Sequence, residues 1–312
     1  GENINLKNTY LNSQNIIVCG MGGSAIGGDL VKSLTINSLK LPLIVNRNYK
    51  LPNWVNSNSI VICSSYSGNT EESLAAYHDA VSRGAKVIGV TTGGKLASLL
   101  ERDSNDRVVI PSGLQPRAAV AYSFIPLLYL LKKIYATNSE VLNDLENAID
   151  TIKSVRDIYS VDSIENPTLS LARDIYCSLP VIYGENESTS AIALRWKGQF
   201  CENSKMLAYH NDIPEMNHNE IVGWQENPEI LKKISILWIS DKSLNSRNLL
   251  RFDASSNILK WIPFFQKKIE LDGPSFTDRF THLLHFGDWV SYWCALLHKI
   301  NPSPVEKIDK LK

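Results

Sequence analysis

Short apolar runs alternate along the chain with longer stretches in which apolar residues recur at helical spacing. In the first half, the apolar runs predict strands at residues 15–19, 41–45, 60–63, 86–90 and 107–110. The stretches between them, such as residues 72–83, predict helices. Alternating strands and helices favour a parallel sheet with helices on both faces, because each helix returns the chain to the edge where the next strand begins. We therefore expect an α/β domain.

The alternation starts again after a polar, helix-like segment at residues 140–162. The clearest later elements are predicted strands at residues 179–183 and 233–239 and a long helix at residues 276–297. Gly184 and Ser188 follow a strand and precede a helix, as Gly20 and Ser24 do near the start of the chain. This internal similarity predicts two copies of one fold, in domains of residues 1–137 and 138–312.

A loop rich in hydroxyls follows the third predicted strand. Ser65, Ser67 and Thr70 flank Gly68 just before a predicted helix. Backbone N–H groups at a helix N-terminus lack intrahelical partners and carry the positive end of the helix dipole, so they bind anions. The hydroxyls add hydrogen-bond donors, and the pattern predicts a phosphate site. The alternative is an ordinary helix cap by Thr70 or Asn69, which would leave the other hydroxyls without a task.

Glycines also follow the first predicted strand. The stretch from Gly20 to Ala25 matches the GxGxxG/A fingerprint of dinucleotide-binding folds. Such folds bind the ribose with an acidic residue at the end of the second strand, and here Asn46 and Arg47 stand there instead. The usual carboxylate for NAD is therefore missing, and NADP binding stays as an alternative. Because both loops follow parallel strands, we expect them to line one crevice.

Two charged residues stand at helix ends that disfavour their charge. Arg117 precedes the apolar segment 118–131, and Glu202 follows the predicted helix 190–201. A cation at a helix N-terminus and an anion at a C-terminus oppose the helix dipole, and such local conflicts are typical of functional residues. Exposed side chains without a role are the alternative. His218 is the histidine with the most polar, turn-forming surroundings.

Composition narrows the classes of function. The chain has no net charge and so no global field for nucleic acid or an anionic membrane, and its longest apolar run, residues 118–131, is too short to cross a bilayer. Five cysteines without CxxC spacing indicate reduced thiols in a cytoplasmic protein. His282 and His285 lie close in sequence but lack a carboxylate to complete a triad, so we expect no metal site.

Five segments of the chain, in this order, resemble the bifunctional phosphoglucose/phosphomannose isomerases. They are Gly20–Asp29, Ser64–Glu72, Pro116–Ala118, Cys201–Lys205 and His218–Ile221, within a resemblance that extends from Asn15 to Lys312. The family has two sugar isomerase (SIS) domains, so the resemblance implies an α/β fold with two doubly wound, flavodoxin-like parallel sheets, each flanked by helices. It also implies aldose–ketose isomerisation of a hexose 6-phosphate without metal or cofactor.

The resemblance also implies roles for the residues named above. The substrate-binding residues would be Ser65, Ser67 and Thr70 for the phosphate and Gly22, Gly23 and Ser24 for the sugar. His218 would open the pyranose ring, and Glu202 would carry a proton between C2 and C1 through a cis-enediol. Arg117 would stabilise the negative charge of that intermediate. In the family the counterpart of His218 comes from the neighbouring subunit, which implies a homodimer.

The C-terminal tail contains the last candidates. Lys312 matches the Leu-Lys ending of the family and would contact the sugar, with Lys310 as a second candidate. Ser303 stands where we expect a threonine in many relatives, in a tail that would help to admit both C2 epimers, glucose 6-phosphate and mannose 6-phosphate. A regulatory SIS protein that binds a sugar phosphate without turnover is the alternative function.

Overall fold

The structure, a computed structural model, describes residues 4–311. Contacts divide the chain into two compact units, the first ending at Leu142 and the second beginning at Asn143. Each unit contains one parallel sheet whose strands are connected by helices. Within the described residues, no helix is both long enough and apolar enough to cross a membrane.

Five strands form the sheet of the first unit. They are β1 (Asn15–Cys19), β2 (Leu43–Asn46), β3 (Ser59–Ser65), β4 (Lys86–Thr91) and β5 (Asp106–Val109). Their order is β2-β1-β3-β4-β5, and every neighbouring pair is parallel. This is the order of flavodoxin-like doubly wound sheets. The central strand β3 is buried along its whole length, which explains why an uninterrupted apolar run predicts it.

Helices cover both faces of this sheet. They are α1 (Gly22–Thr35), α2 (Glu71–Ser82), α3 (Gly94–Arg102) and α4 (Val120–Lys133), and α5 (Glu140–Tyr159) continues into the second unit. A side chain at Gly28 of α1 would meet Val18 at 3.0 Å, while Tyr77 of α2 shares a buried core with Ile17 and Val61. Because Ile17 and Val18 are neighbours on one strand, they point to opposite faces.

The second unit repeats this arrangement with one strand fewer. Its strands are β6 (Leu179–Glu185), β7 (Tyr209–Ile213), β8 (Ile234–Ile239) and β9 (Phe265–Ile269). They are all parallel and lie in the order β7-β6-β8-β9, which repeats the order β2-β1-β3-β4 of the first sheet. The predicted fold class, two doubly wound α/β units, is therefore confirmed.

Two helices of the second unit pack closely against each other. Its helices are α6 (Pro167–Ile175), α7 (Ser190–Glu202), α8 (Glu220–Gly223), α9 (Pro228–Leu231), α10 (Ser246–Ile258), α11 (Phe276–Leu297) and α12 (Glu306–Asp309). Trp196 of α7 donates its indole N–H to the carbonyl oxygen of Leu283 in α11 at 3.0 Å. A side chain at Gly287 would overlap the same indole, so α7 and α11 are in close contact. Arg195 and Asp288 add a largely buried ion pair at 2.7 Å.

The hydrophobic pattern misses β7 and β9. Both strands are edges of the second sheet, and their sequences, Tyr-His-Asn-Asp-Ile and Phe-Gln-Lys-Lys-Ile, are polar at most positions. An edge strand has one row of backbone groups and much of its side-chain surface in water, so it needs no continuous apolar run. The buried strands β1, β4, β6 and β8 lie within one or two residues of the predicted runs.

Candidate functional site

The hydroxyl-rich loop connects β3 to the N-terminus of α2. The hydroxyls of Ser65 and Thr70 face each other at 3.0 Å, and Ser65 Oγ also accepts the backbone N–H of Gly68 at 3.1 Å. Ser67 is exposed, and its Oγ accepts the N–H of Asn69 at 3.2 Å. Gly68 has a φ of +70°, and a side chain there would overlap the carbonyl oxygen of Gly93, so the turn requires glycine.

Thr70 holds the N-cap position of α2 in extended conformation, but its side chain makes no capping hydrogen bond. Asn69, the other capping candidate, accepts the backbone N–H of Lys95 at the start of α3 instead. The capping alternative is therefore wrong for both side chains. The first N–H groups of α2 have no acceptor within the helix, and such groups suit an anion.

The N-terminus of α1 lies beside this loop. Ser24 Oγ accepts the backbone N–H of Tyr66 at 3.2 Å, which connects the glycine loop to the hydroxyl loop. Gly22 begins α1 with a φ of +51°, and the N-cap residue Met21 offers no side-chain acceptor to the first turn. A hydrogen bond thus joins the two loops, which the sequence predicts to line one crevice, and both loops precede helix N-termini.

The segment that contains Arg117 also lies against α1. A side chain at Gly23 would come within 2.7 Å of the carbonyl oxygen of Pro116, so glycine permits this close approach. Leu114, in the same segment, donates its backbone N–H to the hydroxyl of Tyr66 at 3.0 Å. Arg117 is only 6% exposed. All seven candidates of the first unit therefore belong to three loops in mutual contact.

Arg47, the residue that leaves NADP as an alternative, forms an ion pair with Asp29 of α1. The guanidinium that would have to hold a 2′-phosphate is thus already paired with a carboxylate. Nothing in this pairing supports a dinucleotide site, and the glycine loop is better explained by its contacts with Tyr66 and Pro116.

In the second unit, Glu202 is the last residue of α7 and its side chain is partly buried. The residues after it are fixed to α11, because Asn203 Nδ2 donates to Ser291 Oγ at 2.9 Å and Ser204 Oγ donates to the Ser291 carbonyl at 2.6 Å. The end of α7 is therefore anchored on a packed helix, which restricts the positions that the Glu202 carboxylate can take.

Lys205 connects Glu202 to the C-terminal tail. Its Nζ donates to the carbonyl oxygens of Glu202 at 2.5 Å and of Pro302 at 3.0 Å. The tail residue Ser303 is thus held near the end of α7, as a shared site requires. Lys205 belongs to a motif segment, but the sequence predicts no role for it, because a bond to the distant Pro302 leaves no periodic signal in the sequence. Lys310 is exposed beside α12, and Lys312 lies outside the described residues.

His218 ends a short 3-10 helix, Glu215–His218, and its side chain is exposed. Buried or paired neighbours hold this turn: Met216 is fully buried, and Asn217 Nδ2 donates to Ser255 Oγ of α10 at 2.6 Å. Asn219 accepts the backbone N–H of Glu220 and so caps α8. The histidine is thus presented to solvent on an anchored turn.

Glu220 anchors the other side of this turn. Its carboxylate accepts a hydrogen bond from the hydroxyl of Tyr183 and one from Asn211 Nδ2, the latter at 2.5 Å. Trp224 donates its indole N–H to the same tyrosine oxygen at 3.1 Å. Burial, together with the negative charge of Glu220, raises the pKa of Tyr183 well above its usual range. Sequence reasoning assigned no role to this cluster.

No cluster of three or more His, Cys, Asp and Glu side chains within residues 4–311 has the arrangement of a metal site. His282, one of the two histidines considered for a metal, instead bonds through Nε2 to the hydroxyl of Tyr159 at 2.8 Å. His285 Nε2 accepts the indole N–H of Trp289 at 3.1 Å. Both rings serve the packing of α11.

A family model and two full-length relatives indicate the same family. A family model described as the bacterial phospho-glucose isomerase C-terminal SIS domain matches residues 164–312. The bifunctional phosphoglucose/phosphomannose isomerase of Caldicellulosiruptor bescii is 43% identical over 314 residues, covering 100% of this chain and 92% of the relative. The protein of the same name from Aquifex aeolicus is 36% identical, covering 95% of this chain and 89% of the relative.

Solved structures support the same architecture. The C-terminal domain of glucosamine-fructose-6-phosphate aminotransferase from Francisella tularensis aligns with a TM-score of 0.74, covering 95% of this chain and 87% of that chain. The aligned residues are 14% identical, so this similarity concerns the fold alone. The sequence identity to the Caldicellulosiruptor and Aquifex proteins extends over nearly the whole chain, and the chain therefore belongs to the bifunctional phosphoglucose/phosphomannose isomerase family.

Proposed function

We propose that the chain is an aldose–ketose isomerase that interconverts glucose 6-phosphate and mannose 6-phosphate with fructose 6-phosphate. The observation that carries the proposal is the loop before α2. There the hydroxyls of Ser65, Ser67 and Thr70 lie beside the N–H groups of the helix N-terminus, which suits an anion, and the chain belongs to this family. The relatives that share this chain's length are named for both activities.

The phosphate group would be bound by these hydroxyls and by the N-terminus of α2, without a lysine. The sugar would lie against Gly22, Gly23 and Ser24, whose backbone N–H groups begin α1. Glycine at the first two positions leaves the backbone accessible to the sugar hydroxyls. Ser303 follows Pro302, whose carbonyl oxygen accepts a hydrogen bond from Lys205. It would border the C2 hydroxyl, whose configuration distinguishes glucose from mannose.

The reaction would need two stages of proton transfer, ring opening and isomerisation. His218 would move a proton between the ring oxygen and the C1 hydroxyl, since an imidazole can donate and accept near neutral pH. Glu202 would then remove the proton on C2 of the open aldose and return it to C1, while the hydroxyl proton on the C2 oxygen passes to the C1 oxygen, so that a cis-enediol lies between the two sugars. Arg117 would stabilise the negative charge on the enediolate oxygens. A lysine of the tail, Lys312 or Lys310, would contact the sugar.

The test of this function is conversion of fructose 6-phosphate by the purified protein in the presence of a chelator. We expect both glucose 6-phosphate and mannose 6-phosphate to form, and Glu202→Gln to lower kcat about 100-fold or more, because general-base catalysis contributes that much. Glu226→Gln, the same change at an exposed glutamate of the same unit, is the matched control and should keep full activity.

Three outcomes decide between the alternatives. If neither aldose forms while calorimetry shows that fructose 6-phosphate binds, the regulatory SIS function replaces the enzyme. If only glucose 6-phosphate forms, the mannose activity is withdrawn. Full activity of Glu202→Gln would leave the isomerase in place but would remove Glu202 as its base.

We also propose a homodimer in which His218 of one subunit serves the site that contains Glu202 of the other. Co-expression of differently tagged Glu202→Gln and His218→Ala chains tests this directly. A shared histidine leaves one intact site in each heterodimer, so the purified mixed dimer should recover about half of the wild-type kcat per dimer. If each subunit used its own His218, both sites of the heterodimer would lack a group and no activity would return.

A further inference from the structure

Tyr66 lies between Ser65 and Ser67 in the hydroxyl-rich loop, and its own hydrogen bonds join it to other segments of the first unit. The residue is buried, 9% exposed, and its backbone and side chain bond to three other loops of the first unit. Its N–H donates to Ser24 Oγ, and its carbonyl oxygen accepts both the N–H and the hydroxyl of Thr92, at 3.1 and 2.8 Å. Its hydroxyl accepts the N–H of Leu114 at 3.0 Å.

The last of these bonds differs from the others because its partner segment is exposed. Residues 111–116 connect β5 to α4 and are exposed at every position, whereas Arg117, which follows them, is buried. This segment contacts neighbouring loops through the bond between Leu114 and Tyr66 and through the close approach of Pro116 to Gly23. Because the segment is exposed, its position depends strongly on such contacts with its neighbours.

We propose that Tyr66 is a positioning residue for the isomerisation, whose hydroxyl holds the Leu114–Arg117 segment so that the Arg117 guanidinium meets the enediolate. The inference rests on the proposed function, and it adds a residue between the phosphate loop and the arginine. One side chain thereby couples the position of the phosphate loop to that of the charge-stabilising group. Errors of an ångström in such a group lower rates steeply, so a bond that fixes it matters for turnover.

Tyr66→Phe removes the hydroxyl and leaves the backbone bonds to Ser24 and Thr92 in place. Tyr77→Phe is a matched control, because Tyr77 is a buried tyrosine of the same unit whose hydroxyl bonds to Asp103 and to the Leu99 carbonyl, away from the three loops. Both variants lose hydroxyl hydrogen bonds, so both should lose some thermal stability. A change found in Tyr66→Phe alone therefore reports on the site.

The ligand that reports on Arg117 is a five-carbon phosphorylated aldonate, whose carboxylate stands where the enediolate would form. We expect Tyr66→Phe to lower kcat about 10-fold and to weaken aldonate binding by a similar factor, because a displaced Arg117 would lose about one hydrogen bond to the charged ligand. The inhibition constant of inorganic phosphate should change less than about twofold, because the hydroxyl-rich loop is intact. Tyr77→Phe should leave all three values unchanged.

A double-variant cycle separates positioning from a local structural effect. If Tyr66 acts through Arg117, adding Tyr66→Phe to Arg117→Ala should cause no further loss of aldonate affinity. If the two variants instead cause independent losses that multiply, the inference is overturned and the isomerase function stands. The same holds if the wild-type protein is active and the kinetics of Tyr66→Phe match those of Tyr77→Phe. A wild-type protein without isomerase activity would instead overturn both.

Discussion

The direction of the Thr70 hydroxyl distinguishes helix capping from phosphate binding, two roles that have the same sequence pattern. Threonine before a helix normally caps it, but here the hydroxyl faces Ser65 at 3.0 Å and makes no bond to the first turn of α2. The N–H groups that a capping hydroxyl would bind therefore stay available to an anion. At the scale of the residue, the phosphate interpretation depends on where one hydroxyl points.

Thr70→Val tests this distinction, because valine keeps the shape of threonine and removes the hydroxyl. We expect the KM for fructose 6-phosphate to rise about 10-fold, the cost of one hydrogen bond to a charged group, with thermal stability nearly unchanged. Steady-state kinetics and inhibition by inorganic phosphate measure it.

Ser73→Ala is the control, since the Ser73 hydroxyl lies in α2 and donates to the Ser64 carbonyl outside the loop. Its KM should stay at the wild-type value. A Thr70→Val protein with normal KM and a lower melting temperature would indicate a capping residue instead.

At the scale of the element, the position of Glu202 depends on how α7 packs on α11. The indole of Trp196 fills the space above Gly287 and donates to Leu283, and the pair Arg195–Asp288 lies beside it. Two helices held this closely place the C-terminus of α7 with little freedom. The candidate carboxylate of Glu202 is thus positioned by helix packing and not by a loop.

Gly287→Ala should destabilise the second unit by about 1–3 kcal/mol, because the new methyl group overlaps the Trp196 indole and forces the helices apart. Gly198→Ala is the matched control in α7, where a Cβ would meet nothing within 4 Å. Alanine there should raise stability by up to about 1 kcal/mol through helix propensity. Chemical denaturation followed by tryptophan fluorescence measures both, and equal effects of the two changes would contradict the packing.

At the scale of the whole molecule, pH acts on stability through the histidines of α11. Burial lowers the pKa of His282, whose ring bonds to Tyr159, and burial likewise lowers the pKa of His285. The unfolded chain therefore takes up these protons first, at a pKa of about 6.5. Stability is full above that pH and falls as the pH drops through the window down to the lower folded-state pKa.

We expect the melting temperature, followed by tryptophan fluorescence, to fall between pH 7.5 and pH 5, and His282→Gln to flatten this dependence. All tryptophans except Trp54 lie in the second unit, so the signal reports mainly on it. His298→Gln changes an exposed histidine at the end of α11 and should keep the wild-type slope. Equal slopes in all three proteins would rule out the buried histidines as the origin.

Much of the fold follows from local pattern. The buried strands β1, β3, β4, β6 and β8 each contain a short apolar run, which the sequence shows without reference to any neighbouring strand. The edge strands β7 and β9 are not, because one side of each stays in water and pairing with an inner strand, not composition, makes them strands.

The sequence by itself determined the fold class and most of the candidate residues, because helix ends, glycine turns and hydroxyl clusters obey rules that act within a few residues. Only the tertiary structure decided which of them meet. The bonds from Tyr66 to Leu114 and from Lys205 to Pro302 join positions far apart in the chain. Such pairs are set by strand order and helix packing, which place distant loops at one edge of a sheet, and no local periodicity encodes them.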